Sequence, residues 1–263
     1  MRILAIGDPH GSLEKVKKIP LKNIDLILLT GDLGSASLAG KIAFDRINRA
    51  KEGLPEKKIS PTLKKRSFME AYNSTMKLIK YLAKKAPVMT IYGNVESSNA
   101  DTKKMAKKYK IELPLLTDSL KTTKNVKVIN NKKVSFKGIQ IGGLNYFVDT
   151  NWIRNFKPKN YREAMKSAKK DSDKARRVLK RFNDLDILVT HQPPYEVLDK
   201  VGAPAPMHWR GKHAGSKIIL DYIKRKQPRY AFCGHIHEGE GMKKVGKTEV
   251  YNLGVAGHKI IEL

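Results

Sequence analysis

A single cysteine, Cys233, stands among 263 residues, which excludes an intrachain disulfide framework. It lies in the apolar run Tyr230-Ala231-Phe232-Cys233, the setting of a small buried thiol in a reducing compartment. Long apolar runs are lacking too, and no stretch nears the roughly 20 apolar residues that a membrane span requires. The opening Met1-Arg2-Ile3-Leu4-Ala5-Ile6-Gly7-Asp8 meets a carboxylate too early for a secretory signal. A soluble, cytoplasmic chain is the expectation. Acids are scarce: 25 Asp and Glu face 53 Lys and Arg, for a net charge of +28. With 40% hydrophobic and 30% charged residues, wholesale disorder is excluded, and one domain over residues 1–263 is expected.

The positive charge is uneven. Residues 51–85 hold ten basic residues against three acids, 101–137 eleven against three, and 154–184 twelve against four. Such segments attract polyanions, whether nucleic acid, phosphorylated metabolites or acidic membrane faces. Aromatic residues, at 7%, interleave sparsely with the lysines, so a lysine-rich solvated surface fits the same pattern.

Short apolar runs ending in Gly, Asp, Asn or His dominate the chain. Ile3–Ile6 precedes Gly7-Asp8, Leu26–Leu29 precedes Thr30-Gly31-Asp32, and Val88–Tyr92 precedes Gly93-Asn94. Ile187–Val189 precedes Thr190-His191, and Tyr230–Cys233 precedes Gly234-His235. Each reads as a buried strand that delivers a polar residue at its carboxyl end. Helical stripes lie between them: Leu38, Ile42 and Ile47; Phe68, Tyr72, Met76, Ile79 and Leu82; and Ile218, Ile219, Tyr222 and Ile223 behind a Ser216 cap. Val126–Ile129, Val134–Phe136 and Ile139–Phe147 read as antiparallel strands joined by Asn130-Asn131 and Lys137-Gly138 turns. The tail adds Met242–Val245, Glu249–Tyr251 and Lys259–Glu262. An α/β chain with two facing sheets and helices outside follows. Basic helical inserts are expected at about 35–86 and 154–184, the first containing a Lys/Pro-rich connection at Lys51–Leu63.

The polar residues at those strand ends are Asp8, His10, Asp32, Asn94, His191, His235 and His237. Residues two apart at an extended strand end point the same way, so Asp8-Pro9-His10 and His235-Ile236-His237 each aim two ligands at one place. Carboxylates, imidazoles and an amide oxygen suit divalent transition ions. Seven donors exceed the needs of one four- to six-coordinate ion and fit two ions that share a carboxylate.

Five blocks in this order resemble the calcineurin-like metallophosphoesterase superfamily: Gly7-Asp8-Pro9-His10-Gly11, Gly31-Asp32, Gly93-Asn94, Thr190-His191-Gln192-Pro193-Pro194 and Gly234-His235-Ile236-His237. With His213-Ala214-Gly215-Ser216, Gln227-Pro228 and Gly246-Lys247-Thr248, the chain is similar to archaeal-type phosphoesterases related to cyclic-nucleotide phosphodiesterases. The resemblance implies a four-layer αββα sandwich and two divalent ions, manganese first, with iron, zinc, nickel or magnesium as alternatives. It also implies that Asp8, His10 and His237 hold one ion, that Asn94, His191 and His235 hold the other, and that Asp32 bridges. In-line attack by a hydroxide bridging the ions would then cleave a phosphate ester, with no protein nucleophile.

One departure matters. The family's Gly-Asn-His block reads Gly93-Asn94-Val95-Glu96 here, and valine donates no proton. General acid catalysis is typically worth about 10²–10⁴-fold, so good leaving groups and phosphodiesters are expected to be preferred. His213, near a helix start, is the candidate substitute for that acid, with a part in loop structure as its alternative. Glu96 and Glu238 flank ligands and are candidate orienters. The aromatic stretch Asn145-Tyr146-Phe147, Trp152, Phe156 and Tyr161 offers surfaces to a nucleobase, or simply packs. The expected substrate is a phosphate ester, with a nucleotide among the candidates. Two alternatives remain: a nuclease on DNA or RNA, drawn by the charge, and a binding or scaffold protein on the same fold.

Overall fold

The computed structural model describes residues 1–263 except Pro204 and the side chain of Lys51. In chain order its elements are β1 (Arg2–Ile6), α1 (Leu13–Lys17), β2 (Leu26–Leu29), α2 (Ser37–Lys51), α3 (Pro61–Ala83), β3 (Val88–Thr90), α4 (Asn99–Tyr109), α5 (Leu116–Thr122) and β4 (Val126–Val128). Then come β5 (Lys132–Phe136), β6 (Ile139–Leu144), α6 (Thr150–Phe156), α7 (Tyr161–Lys180), β7 (Ile187–Thr190), α8 (Lys217–Lys226), β8 (Tyr230–Cys233), β9 (Gly241–Val245), β10 (Thr248–Asn252) and β11 (His258–Glu262).

Two sheets form, in the orders β11-β1-β2-β3-β4 and β5-β6-β7-β8-β10-β9. Within the first, β1, β2, β3 and β4 are parallel and β11 is antiparallel at the edge. Within the second, β6, β7, β8 and β10 are parallel, flanked by antiparallel β5 and β9. The apolar runs are continuous because the inner strands are buried on both faces. Ile3, Leu26, Leu28, Ile187, Val189 and Phe232 fill the space between the sheets. Their alternating neighbours Leu4, Ile6, Ile27 and Leu29 face outward to Leu78, Ile79 and Leu82 of α3, and Leu188 and Ala231 face α7 and α8. The result is the expected four-layer sandwich.

Local chemistry sets the helix ends. The Ser60 hydroxyl accepts from Leu63 N–H, with Pro61 in the first turn of α3, and Ser216 caps α8 through Ile219 N–H. Lys137 and Gly138, at φ 47° and 88°, make the two-residue turn between β5 and β6. Among the described residues, no helix is long and apolar enough to cross a membrane.

Four sequence expectations change. Val126–Val128 does not pair with the hairpin that follows; it joins the first sheet parallel to β3. Asn130-Asn131 is therefore a crossing between sheets rather than a hairpin turn, and Asn130 Oδ1 accepts Tyr92 N–H at 2.7 Å to hold it. The strand expected over Ile139–Phe147 stops at Leu144, which frees Tyr146 and Phe147 for a loop. The apolar stripe of α2 is only partly covered: Leu38 and Ile42 are half-buried, Ile47 is 42% exposed, and the neighbouring Phe44 is 56% exposed. The connection expected at Lys51–Leu63 spans only residues 52–60, because α2 reaches Lys51 and α3 starts at Pro61.

Candidate metal centre

All seven anticipated residues follow the carboxyl ends of parallel strands. Asp8 and His10 follow β1, Asp32 follows β2, Asn94 follows β3, His191 follows β7, and His235 and His237 follow β8. Open α/β sheets characteristically place their ligands at such ends. Here two sheets bring those ends to one place.

Two groups of donors lie close enough to hold a metal ion: Asp8, His10 and His237, and Asp8, Asp32 and His191. His10 Nε2 is 3.3 Å from His237 Nε2 and 3.8 Å from Asp32 Oδ2. His191 Nε2 lies 2.9 Å from Asn94 Oδ1 and 3.6 Å from Asp32 Oδ1, while its Nδ1 faces Thr30 O at 2.9 Å. The His235 ring lies tilted against His191, centroid to centroid 4.9 Å, and the backbone N–H of His235 donates to Asp8 Oδ2 at 2.5 Å. Thr30 Oγ1 donates to Asp8 Oδ1 at 2.9 Å and fixes that carboxylate from the neighbouring strand.

The backbone is bent to make this arrangement. His10, Asp32 and His235 adopt φ of 43°, 46° and 66°, a left-handed conformation that non-glycine residues rarely take. Strain of this kind persists where surrounding structure over-determines it. The motif glycines leave room for the carboxylates. A Cβ at Gly93 would sit 2.2 Å from Asp32 Oδ1, and one at Gly234 would sit 2.2 Å from Asp8 Oδ1.

Electrostatics follow from burial. Asp8 is fully buried, which would raise its carboxyl, yet His191 and the bonds from His237 and His235 outweigh burial and hold it at about 2. Burial, joined by His191's charge, pushes His235 down to about 3, and burial also lowers His10. Burial opposes the charging of His191, but Asp8 and Asp32 win and raise it. The bond to Asp8 raises His237. Among the described residues, Asp8 and Asp32 have only histidines as ion-pair partners, with no Lys or Arg, despite the chain's basic excess. Two carboxylates withdrawn from water without a permanent cation call for one. Oxygen and imidazole donors together fit a divalent transition ion.

Glu96 contributes in a way the sequence hinted at only by adjacency. Its Oε2 accepts from Asp32 N–H at 3.0 Å and Gly93 N–H at 2.8 Å, and its Oε1 accepts from Leu33 N–H at 2.7 Å. One carboxylate thus ties the loop after β2 to the loop after β3. Withdrawal from water, then Asp32's charge, lifts it to about 7. Asn252 does the same for the loop after β8, donating to Ile236 O at 2.7 Å and Leu198 O at 2.9 Å. The sequence reading gave Asn252 no role. Tyr146, freed by the early end of β6, lies edge-on to His191 and 5.2 Å from the His235 ring.

His213 is held by Asp199. Its Nδ1 lies 2.6 Å from Asp199 Oδ1, its ring adjoins Tyr195, and Asp199 Oδ2 accepts from Gly215 N–H at 2.8 Å. Among the described residues its ring makes no hydrogen bond to any of the seven. Glu238 is exposed beside them.

Comparison with known proteins agrees with this geometry. A family model described as calcineurin-like phosphoesterase matches residues 1–239. Metallophosphoesterase domain-containing protein 1 of Homo sapiens is 40% identical over 72 residues, 27% of this chain and 20% of that protein. An uncharacterized protein of Methanocaldococcus jannaschii is 37% identical over 76 residues, 28% of this chain and 33% of its own length. The match thus spans about a fifth and a third of these relatives. One solved structure superimposes with a TM-score of 0.57 at 15% identity, over 99% of this chain and 94% of that one, a likeness of fold alone.

Proposed function

The chain belongs to the calcineurin-like phosphoesterase family, and from that premise we propose that it is a metal-dependent hydrolase of phosphate esters that prefers phosphodiesters. The observation that carries the reading is the pair of donor groups Asp8, His10 and His237, and Asp8, Asp32 and His191, with Asn94 and His235 beside His191, at the carboxyl ends of two sheets and, among the described residues, with no Lys or Arg paired to either carboxylate. A protein that had abandoned catalysis for scaffolding would have no need to keep two buried carboxylates in this state.

In this proposal Asp8, His10 and His237 hold one divalent ion and Asn94, His191 and His235 the other, with Asp32 between them and manganese as the first candidate. When bound, such ions supply Lewis acidity toward phosphoryl oxygens and bring the pKa of water toward neutrality. The chain's own part is to hold the donors fixed. Thr30 and the His235 N–H lock Asp8, the Val95 N–H locks Asp32, and Glu96 clamps the two loops. The diester preference rests on Val95, which leaves the leaving group without a proton donor at that position.

The test is metal analysis of purified protein combined with a panel of mono- and diesters, before and after Asp32→Asn. Two ions per chain and loss of turnover in Asp32→Asn are expected. A fully active Asp32→Asn protein would overturn the assignment of Asp32 as the shared ligand.

A further inference from the structure

A cleft of about 580 Å³ opens directly beside His235 and His237, and its walls are mostly apolar. Trp152 stacks on Phe156 with ring centroids 5.0 Å apart, and Trp209 meets both edge-on at 5.3 Å from Phe156 and 6.0 Å from Trp152. Across from this aromatic wall, Phe44 and Ile47 of α2 complete the lining, one helical turn apart and largely exposed. Single exposed apolar residues need no explanation, but two that line a cavity at a catalytic edge do. Pockets of this volume, mostly apolar with a few polar groups, are typical small-molecule sites.

Resting on the phosphoesterase reading, we infer that this cleft receives the ester group of the substrate, and that this group is a bulky apolar or aryl one rather than a nucleoside. Continuity carries the first half, because this cleft borders two of the candidate ligands, His235 and His237, whereas the neighbouring pocket between α2 and α3 borders Asn94 alone. The lining decides the second. A nucleobase reader places converging donors and acceptors against the base edges, since unpaired polar atoms in a closed site are costly. Away from the metal-site histidines, the polar side chains among the described residues of these walls are Glu238 and Asn48, both exposed, with one hydroxyl on Tyr146 and one N–H on each indole. Glu238 would also repel the next phosphate of a polynucleotide threaded through the cleft.

The chain has two tryptophans, Trp152 and Trp209, and both line this cleft, so tryptophan emission, excited apart from the ten tyrosines, reports its occupancy. The experiment titrates protein, saturated with zinc or stripped by a chelator, with benzylphosphonate, octylphosphonate, methylphosphonate and adenosine monophosphate. Benzyl- and octylphosphonate are expected to shift the emission and bind at least ten-fold more tightly than methylphosphonate, and more tightly than the nucleotide. Phe44→Ala with Ile47→Ala is expected to remove most of that gain. Leu54→Ala, an exposed apolar position outside the cleft, is the control that keeps it. Equal affinity for benzyl- and methylphosphonate, or tighter binding of the nucleotide, overturns the inference while ester hydrolysis by the same sample leaves the phosphoesterase reading standing. Selective aryl or alkyl binding by a sample that hydrolyses no ester with any divalent ion supports the cleft assignment and defeats that reading.

Discussion

The backbone N–H of Val95 donates to Oδ1 of Asp32 over 2.9 Å. The residue that lacks the family's imidazole therefore still orients the central carboxylate through its main chain, and the two contributions are separable by substitution. Val95→His is expected to keep metal content and to raise turnover by about ten-fold or more on alkyl esters, with a smaller gain on nitrophenyl esters. The plot of rate against leaving-group pKa should flatten. An unchanged slope would show that proton donation is already supplied. His213→Ala then distinguishes its source: a large loss of turnover with metals retained assigns that part to His213, and no loss leaves the Asp199–His213 pair to loop structure.

Glu96 satisfies three backbone N–H groups with two oxygens. Glu96→Gln keeps the shape but turns an amide toward at least one of those donors. A stability loss of about 1–3 kcal/mol is expected, the cost of leaving one such group unpaired. Because the freed loops carry Asp32 and Asn94, metal affinity should also fall by about 10–100-fold. Thermal denaturation and calorimetric metal titration read the two effects apart. Native affinity in Glu96→Gln would show that the clamp does not position the ligands.

Gly93 leaves a gap that only hydrogen fills. In Gly93→Ala the new methyl collides with Asp32 Oδ1 and with the His191 ring carbon Cε1 at 2.6 Å. Circular dichroism should still show a folded chain, since Gly93 lies outside both sheets, while activity drops about 100-fold or more as Asp32 is displaced. Wild-type turnover in the folded variant would contradict the packing described.

Only five Lys or Arg side chains form ion pairs among the described residues, against 53 in the chain. A large positive field thus remains unneutralised. Binding of single-stranded or duplex nucleic acid is expected to weaken steeply between low and physiological salt. If binding stays flat with salt, the lysines are a solvated surface and the nuclease alternative loses its support. If the bound polymer is cut, the assignment of the cleft to apolar esters is the weaker reading.

How much could be read from residues alone depended on whether a pattern names its own partner. The runs Ile3–Ile6 and Leu26–Leu29 are apolar on both faces, so each had to lie inside a sheet, and the polar residue after each had to reach its rim. Val126-Lys127-Val128 is different: alternation marks one buried face but not which sheet supplies it, and β3 rather than β5 does. The stripe of α2 likewise gave a face without saying what it meets, and Phe44 and Ile47 meet the cleft instead of the core. The seven donors were visible because strand ends are punctuated by Gly, Asp and His. Glu96 was legible only as a neighbour of Asn94, and Asn252 not at all, because their work is done on backbone N–H and carbonyl groups that every residue type shares.

The crossing at Asn130–Asn131 divides the donors by sheet. Asp8, His10, Asp32 and Asn94 rise from the first sheet, and His191, His235 and His237 from the second. A cation held by both sets would be a rivet between layers as well as a reagent. Its binding free energy adds directly to the cohesion of the sandwich, by about 4 kcal/mol when free ion exceeds its dissociation constant a thousand-fold. Chelation should lower the melting temperature, so that the same ions set how long the folded chain survives heat.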